Sequence, residues 1–334
     1  MKRIVVRAPN WLGDAVMALP AIAAVRRHFR DVDLVIAAPP SVSPLFLERT
    51  SAEPDRVVAV DVTREAPQLG ALSADAVLLL PNSFGSAWTA RRSRIGERWG
   101  YRAGGRRWLL TRSVGRLRGV VHQVAYYLHL VRELGMTDGD EVPRLAPRES
   151  TLARADAALV AAGGRDGDRL IGFAPGAAYG HAKRWPPDRV AGVMKAVSDR
   201  GAVPVLLGAA ADRDTRRAIE SSLPPGTRII DLIGRTDLAT FIGVTARCSA
   251  FLSNDSGAMH VAAALGVPLT AVFGPTNEKV TAPAGPGPRD LIRRDVFCRP
   301  CMLRECPIDH RCMTRIRIDD VLASLDATSS LPRS

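Results

Sequence analysis

The stretch SNDSGAMHVAAALGVP, residues 253–268, sets an acid, a hydroxyl, a glycine and a histidine at the mouth of a plain apolar helix. Asp255 or Ser256 would make a good N-cap. Gly257 lets a ligand come close to the backbone, and His260, one turn on, leans back toward the same mouth. The free N–H groups and dipole of a helix N-terminus suit an anion such as a diphosphate. Capping alone accounts for Asp255 or Ser256, but not for Gly257 and His260 as well. A second cluster, FAPGAAYGHAKRWP (residues 173–186), ends a strand, turns through glycines and presents Lys183 and Arg184. Two such cations could neutralise charge on a leaving phosphate. A third, RAPNWLGDAVMALP (residues 7–20), puts Asp14 where a first strand gives way to a first helix. There it is either an acid favoured by the helix dipole or a general base at a strand end.

Two familiar phosphate devices are missing. Neither the P-loop pattern nor the dinucleotide fingerprint occurs, which argues against a P-loop nucleotidase and a nicotinamide dehydrogenase. A further cluster is CRPCMLRECPIDHRC, which spaces Cys298, Cys301, Cys306 and Cys312 as x2, x4 and x5. Four soft ligands in one loop could hold a structural zinc tetrahedrally; reduced packed thiols, disulfides or a cluster are the other readings. Disulfides are disfavoured in a cytosolic chain. If the four bind a metal, they pin a loop late in the C-terminal domain, segment 298–312, outside the chemical centre.

These residues need elements to position them. RIVVRA, VDLVIAA, RVVAVDV and AVLLLP are short apolar runs, each separated by helix-length sequence. LIGFAP, VPVLLG, RIIDL, AFLSN and PLTAVFG form a second series after the Gly/Asp-rich GGRDGD. Runs apolar on both faces are what buried parallel strands look like, and intervening helices imply right-handed crossovers. The expectation is an α/β protein of two doubly wound Rossmann-like domains, 1–165 and 166–334, facing across a cleft. Ligands in such sheets sit at the C-terminal ends of the strands.

The length of 334 residues suits two domains. No apolar run is long enough to span a bilayer, and Arg7, Asn10 and Asp14 break up any signal-peptide core, so a cytoplasmic protein is expected. The net charge of +12 is uneven: residues 91–118 hold ten arginines and a single acid, Glu97. That tract is either a solvated basic face or a site for polyanions such as nucleic acid, an anionic membrane or an acidic substrate.

Taken together, the chain resembles the lipopolysaccharide heptosyltransferase family. The likeness runs in order through APNWLGDAVMALPAI, LLLPNSFGSAW, GYRAGGRRWLLT, FAPGAAYGHAKRWP, LSNDSGAMHVAAALGVPLTAVFGPT and CRPCMLRECPIDHRCM. It implies a GT-B fold whose N-terminal domain holds the acceptor and whose C-terminal domain holds ADP-heptose. It implies transfer of heptose with inversion to the lipid A–Kdo–heptose type inner core, at the inner face of the cytoplasmic membrane, with no cofactor required. By the same resemblance Asp14 is the catalytic carboxylate and Lys183 sits near the diphosphate. Asp255, Ser256, Gly257 and His260 form the donor site, while Asp212 in LLGAAADRD is a looser match to an acid near the ribose. Arg91, Arg92 and Arg94 would meet the acceptor's carboxylates and phosphates. Two alternatives stand beside this: a GT-B enzyme for another nucleotide sugar, and a basic nucleic-acid-binding protein. The second lacks a binding module, and aromatics at 5% leave few stacking platforms.

Overall fold

The computed structural model describes residues 1–137, 139–140 and 142–329. The chain folds as two compact units, Met1–Ala146 and a second from Pro147 onward. The first unit contains β1 (Arg3–Arg7), β2 (Asp33–Ala38), β3 (Arg49–Thr50), β4 (Arg56–Ala59), β5 (Ala76–Leu79), β6 (Glu97–Tyr101), β7 (Arg112–Val114) and β8 (Leu145–Ala146). Six of these make a parallel sheet in the order β4-β2-β1-β5-β6-β7, and β3 pairs antiparallel with β8. The second unit contains β9 (Leu170–Ala174), β10 (Val203–Leu206), β11 (Ile230–Asp231), β12 (Ala250–Asn254), β13 (Leu269–Phe273) and β14 (Arg289–Arg293). They form a parallel sheet in the order β11-β10-β9-β12-β13-β14.

In each sheet the first strand of the unit lies at the centre and the chain then winds outward both ways. This is the doubly wound order, with a switch point between β1 and β5 in one unit and between β9 and β12 in the other. Apolar content explains the centre. Every residue of β9, β12 and β13 is buried, and apolar clusters cover both faces of that sheet. Val193, Met194 and Val197 of the helix Pro187–Asp199 pack in one cluster; Met259, Ala262 and Ala263 of the helix Gly257–Ala264 pack in the other. A fully buried aliphatic side chain of this kind is worth about 1.5–3 kcal/mol.

Two expectations need correcting. The units divide at 146/147, not at 165/166. The helix Glu149–Ala161 belongs to the second unit because Ala155 and Leu159 enter its core with Val203, Val205 and Val244. Its partner is the helix Leu238–Arg247, where Gly243 lets the two backbones touch: a Cβ there would stand 2.7 Å from the Thr151 carbonyl oxygen. Arg247 and Asp156 add a two-pronged ion pair at 2.8 and 2.7 Å. The second correction is that the arginine-rich tract is not one surface. It supplies β6 and β7, and two of its arginines turn inward: Arg98 donates to the carbonyls of Ile95, Gly96 and Leu109, and Arg106 is fully buried.

Candidate active site

In the second unit, β9 and β12 are neighbours in register, with Ser253 opposite Ala174, so the segments leaving their C-terminal ends start side by side. The chain after β9 runs through Pro175 and Gly176 to a 3-10 turn, His181–Lys183. Asp255 follows β12 directly. The Lys183 ammonium lies 2.7 Å from Asp255 Oδ2, and the Thr276 hydroxyl, beyond β13, donates to the same oxygen. Asp255 is only 3% exposed, so this carboxylate is held by its partners rather than by water. Asn254 ties the two segments together: its amide donates to the Pro175 carbonyl at 2.6 Å, and its oxygen accepts from the Trp185 N–H at 3.3 Å.

The capping reading of the opening stretch does not survive. Ser256 occupies the N-cap position of the helix Gly257–Ala264 but makes no side-chain cap bond, and its hydroxyl sits 3.3 Å from that of Ser253. Asp255 turns to Lys183 and Thr276 instead. The first N–H groups of this helix therefore have no side-chain acceptor from either residue, which leaves the helix mouth suited to an anion. Gly257 is its first residue and His260, buried, lies within its first turn and a half. Asp212 is buried as well. It ends the short turn Ala210–Asp212, accepts from the Ala209 N–H at 3.1 Å and pairs with Arg184 at 3.5 Å. A Cβ on Gly176 would stand 2.3 Å from Asp212 Oδ2, so glycine is what admits this carboxylate against the loop after β9.

The cysteine segment departs from expectation twice. Among the described residues no three His, Cys, Asp or Glu side chains converge where a metal ion could be held, so the zinc site expected of Cys298, Cys301, Cys306 and Cys312 is not formed. Cys312, in the short helix Arg311–Thr314, packs into the core, while Cys306 is exposed; all five cysteines are free. Burial, and next the neighbouring thiols of Cys298, Cys301 and Cys306, push the Cys312 thiol up to about 11.

Nor does the segment lie away from the Lys183–Asp255 pair. It is a strap across the Lys183 loop. The Ala182 N–H donates to the Arg304 carbonyl at 2.9 Å, and His310 Nε2, facing the Ala182 carbonyl at 2.7 Å, is the donor there. The Tyr179 hydroxyl donates to the Met302 carbonyl at 2.6 Å, while its ring lies 4.8 Å beneath the Lys183 ammonium. Arg299 grips the turn that carries Thr276, donating to the Gly274 carbonyl at 2.6 Å and to that of Thr276 at 3.1 Å. Gly180 permits the close approach, since a Cβ there would meet the Arg304 carbonyl oxygen at 2.4 Å. Tyr179, Thr276, Arg299 and His310 were thus missed as supports of the Lys183–Asp255 pair and its loops. Only Tyr179, four residues before Lys183, carried any local hint. Tyr179→Phe keeps the ring and deletes the bond to Met302. A net bond of about 0.5–1.5 kcal/mol bounds the rise in the donor KM at about two- to tenfold, and any part of it not felt by the donor lowers the melting temperature instead. An unaltered KM would reduce the strap to a packing element.

In the first unit, Asp14 lies in the first turn of the helix Leu12–Met17, just beyond the C-terminal end of β1. Arg7, at the end of β1 and 3% exposed, pairs with buried Glu65 and donates to Asn10 Oδ1 at 2.8 Å. That buried pair fixes the path of the loop leading to Asp14. Burial, and next the Asp14 carboxylate, push the Tyr127 phenol on the helix Gln123–Glu133 well above its usual range, so Tyr127 stays protonated beside it. The arginines assigned to the acceptor fall elsewhere. Arg91 and Arg92 end the helix Phe84–Arg92, which returns the chain from the C-terminal end of β5 to the start of β6. Arg94 follows, and Glu97 then bonds back to Asp75 before β5. Arg91, Arg92 and Arg94 therefore lie at the N-terminal edge of the sheet, opposite the edge that carries Asp14. The direction of a parallel crossover decides this, and the acceptor role for these three is withdrawn.

The sequence profile described as Glycosyltransferase family 9 (heptosyltransferase) matches residues 62–311. Lipopolysaccharide heptosyltransferase 2 of Escherichia coli K12 is 30% identical over 299 residues, covering 84% of this chain and 85% of its own. Lipooligosaccharide heptosyltransferase 2 of Haemophilus influenzae is 28% identical over 300 residues, covering 84% and 85%. Among solved structures, the E. coli ADP-heptose LPS heptosyltransferase II superposes with a TM-score of 0.83 at 28% identity, over 98% of both chains.

Proposed function

Because the chain belongs to glycosyltransferase family 9 and is a glycosyltransferase, we propose that it moves L-glycero-D-manno-heptose from ADP-heptose to the inner core of lipopolysaccharide. The second unit holds the donor and the first holds the acceptor. The observation that carries the diphosphate part of this reading is the Lys183 ammonium, fixed 2.7 Å from Asp255 beside a helix mouth without a side-chain cap. An ammonium has three donors, so pairing with Asp255 leaves it able to bind phosphate oxygens.

The chemistry is a displacement at the anomeric carbon. The acceptor hydroxyl oxygen bonds to that carbon as its bond to the β-phosphate oxygen breaks, with inversion. Asp14 takes the hydroxyl proton, and ADP leaves with the electron pair. Charge growing on ADP is met by Lys183 and by the N–H groups at Ser256 and Gly257, aligned before the reaction begins. His260 orients the phosphate or a sugar hydroxyl, and Asp212 shapes the floor of the loop beside the nucleotide.

The acceptor is lipid-anchored. No helix among the described residues is long and apolar enough to cross a membrane, so we place the enzyme peripherally at the inner face of the cytoplasmic membrane. The test is a donor screen with a deacylated inner-core acceptor, reading released nucleoside diphosphate. ADP release should require ADP-heptose and acceptor together. Comparable kcat/KM with a UDP- or GDP-sugar would replace the donor, and no turnover with any nucleotide sugar would remove the activity.

A further inference from the structure

We propose that the edge of the first unit's sheet that carries Asp14 is a docking surface for an anionic lipid bilayer, built from exposed aromatic and arginine side chains. In a parallel sheet all segments leaving the strands' C-terminal ends share one edge. After β5 comes Phe84, after β6 come Arg107 and Trp108, and after β7 come Arg116, Arg118 and Val120. Trp108 and Val120 are each 63% exposed and Phe84 is 44% exposed. The Phe84 ring stacks 6.5 Å from Trp88 and lies 6.1 Å from Trp108, so three large rings from two segments form one patch.

The patch is rigidly mounted. Arg106, beside Trp108 and fully buried, donates to the carbonyls of Tyr101 (2.9 Å), Pro81 (2.6 Å) and Ser83 (3.1 Å) and to the Ser86 hydroxyl (2.9 Å). That one side chain clamps the loop bearing Trp108 to the start of the helix bearing Phe84 and Trp88. Such order is not needed to keep an aromatic group in water; it holds the rings outward at a fixed level.

Charge identifies the occupant. Arg107, Arg116 and Arg118 are exposed, and among the described residues none pairs with a carboxylate. Rings at the level of the headgroups with guanidinium groups around them match the interface of a negatively charged leaflet. A docked bilayer would then present a lipid-anchored hydroxyl to the edge where Asp14 waits. This deepens the lipid-anchored acceptor reading above and rests on it for its purpose, though not for its measurement.

The experiment is sedimentation of the full chain with phosphatidylcholine vesicles, with and without phosphatidylglycerol, and with neither donor nor acceptor present. Binding should require phosphatidylglycerol and weaken with salt. R116E/R118E should weaken it by at least fivefold for each arginine, about the worth of one basic residue near an anionic surface. F84A/W108A should weaken it about tenfold while leaving turnover of a deacylated, soluble acceptor unchanged and lowering turnover of a vesicle-borne one. Phe84, Trp108, Arg116 and Arg118 are all exposed, and circular dichroism checks folding. Absence of binding to phosphatidylglycerol vesicles, or F84A/W108A binding as the native chain does, would overturn the proposal. Equal loss of turnover on soluble and vesicle-borne acceptors would overturn it too, by making the rings sugar contacts. A change of oligomeric state in F84A/W108A would instead assign the patch to a second copy. Failure of heptosyl transfer itself would leave the vesicle measurement standing.

Discussion

Asp14→Asn should lower kcat by about 10²–10⁴-fold, the usual contribution of a positioned general base. The amide keeps the size of the side chain and its place in the first helical turn, so folding and melting temperature should hold. Affinity for ADP should also hold, because Lys183, Asp255 and the mouth of the helix Gly257–Ala264 all belong to the other unit. The loss should therefore fall on kcat and on kcat/KM alike, as for a group that acts in the transition state. Near-native turnover in the variant would take the base role from Asp14.

Lys183→Ala is expected to cut kcat/KM by roughly 10²–10³-fold, comparable to deletion of one preorganised donor to a developing anion. Its geometry adds a consequence that charge alone does not give. Asp255 is nearly inaccessible and shares its Oδ2 between Lys183 and Thr276. Without the ammonium it becomes a buried carboxylate lacking its counter-charge, which is costly and repels the diphosphate besides. Asp255→Asn in the Lys183→Ala background should recover part of the lost donor affinity, so the two changes should be far from additive. A double-mutant cycle on ADP affinity and kcat/KM measures this. Strict additivity would mean that the contact does not couple the two residues in function.

Much of this protein could be read before it folded. The central strands were legible because β1, β2, β5, β9, β10, β12 and β13 are buried on both faces and so written as unbroken apolar runs. The places of Asp14, Lys183 and Asp255 in the fold were legible for a related reason. Each lies within nine residues of a strand end, and a strand–loop–helix junction is local in sequence.

What the sequence left undecided depends on partners far along the chain. β7 and β14 are edge strands with hydrogen-bonding neighbours on one side only. They can therefore be as polar as RSV and RDLIR, with no apolar run to betray them. The helix Glu149–Ala161 looked like a connector, and its unit was set by packing on Leu238–Arg247 about eighty residues later. The ten arginines of residues 91–118 look alike in sequence. Crossover direction sends Arg91, Arg92 and Arg94 to the edge away from Asp14, burial claims Arg106, and the turns after β6 and β7 return Arg107, Arg116 and Arg118 to the edge beside it. Cysteine spacing suggested a metal, yet among the described residues no three His, Cys, Asp or Glu side chains converge on one point, which spacing alone could not decide. The segment's real contacts, from Arg299, Arg304 and His310 to loops some 25–130 positions earlier, exist only in three dimensions. Short-range pattern reports which face of an element is apolar; which element meets that face is decided by the free energy of the whole packed chain.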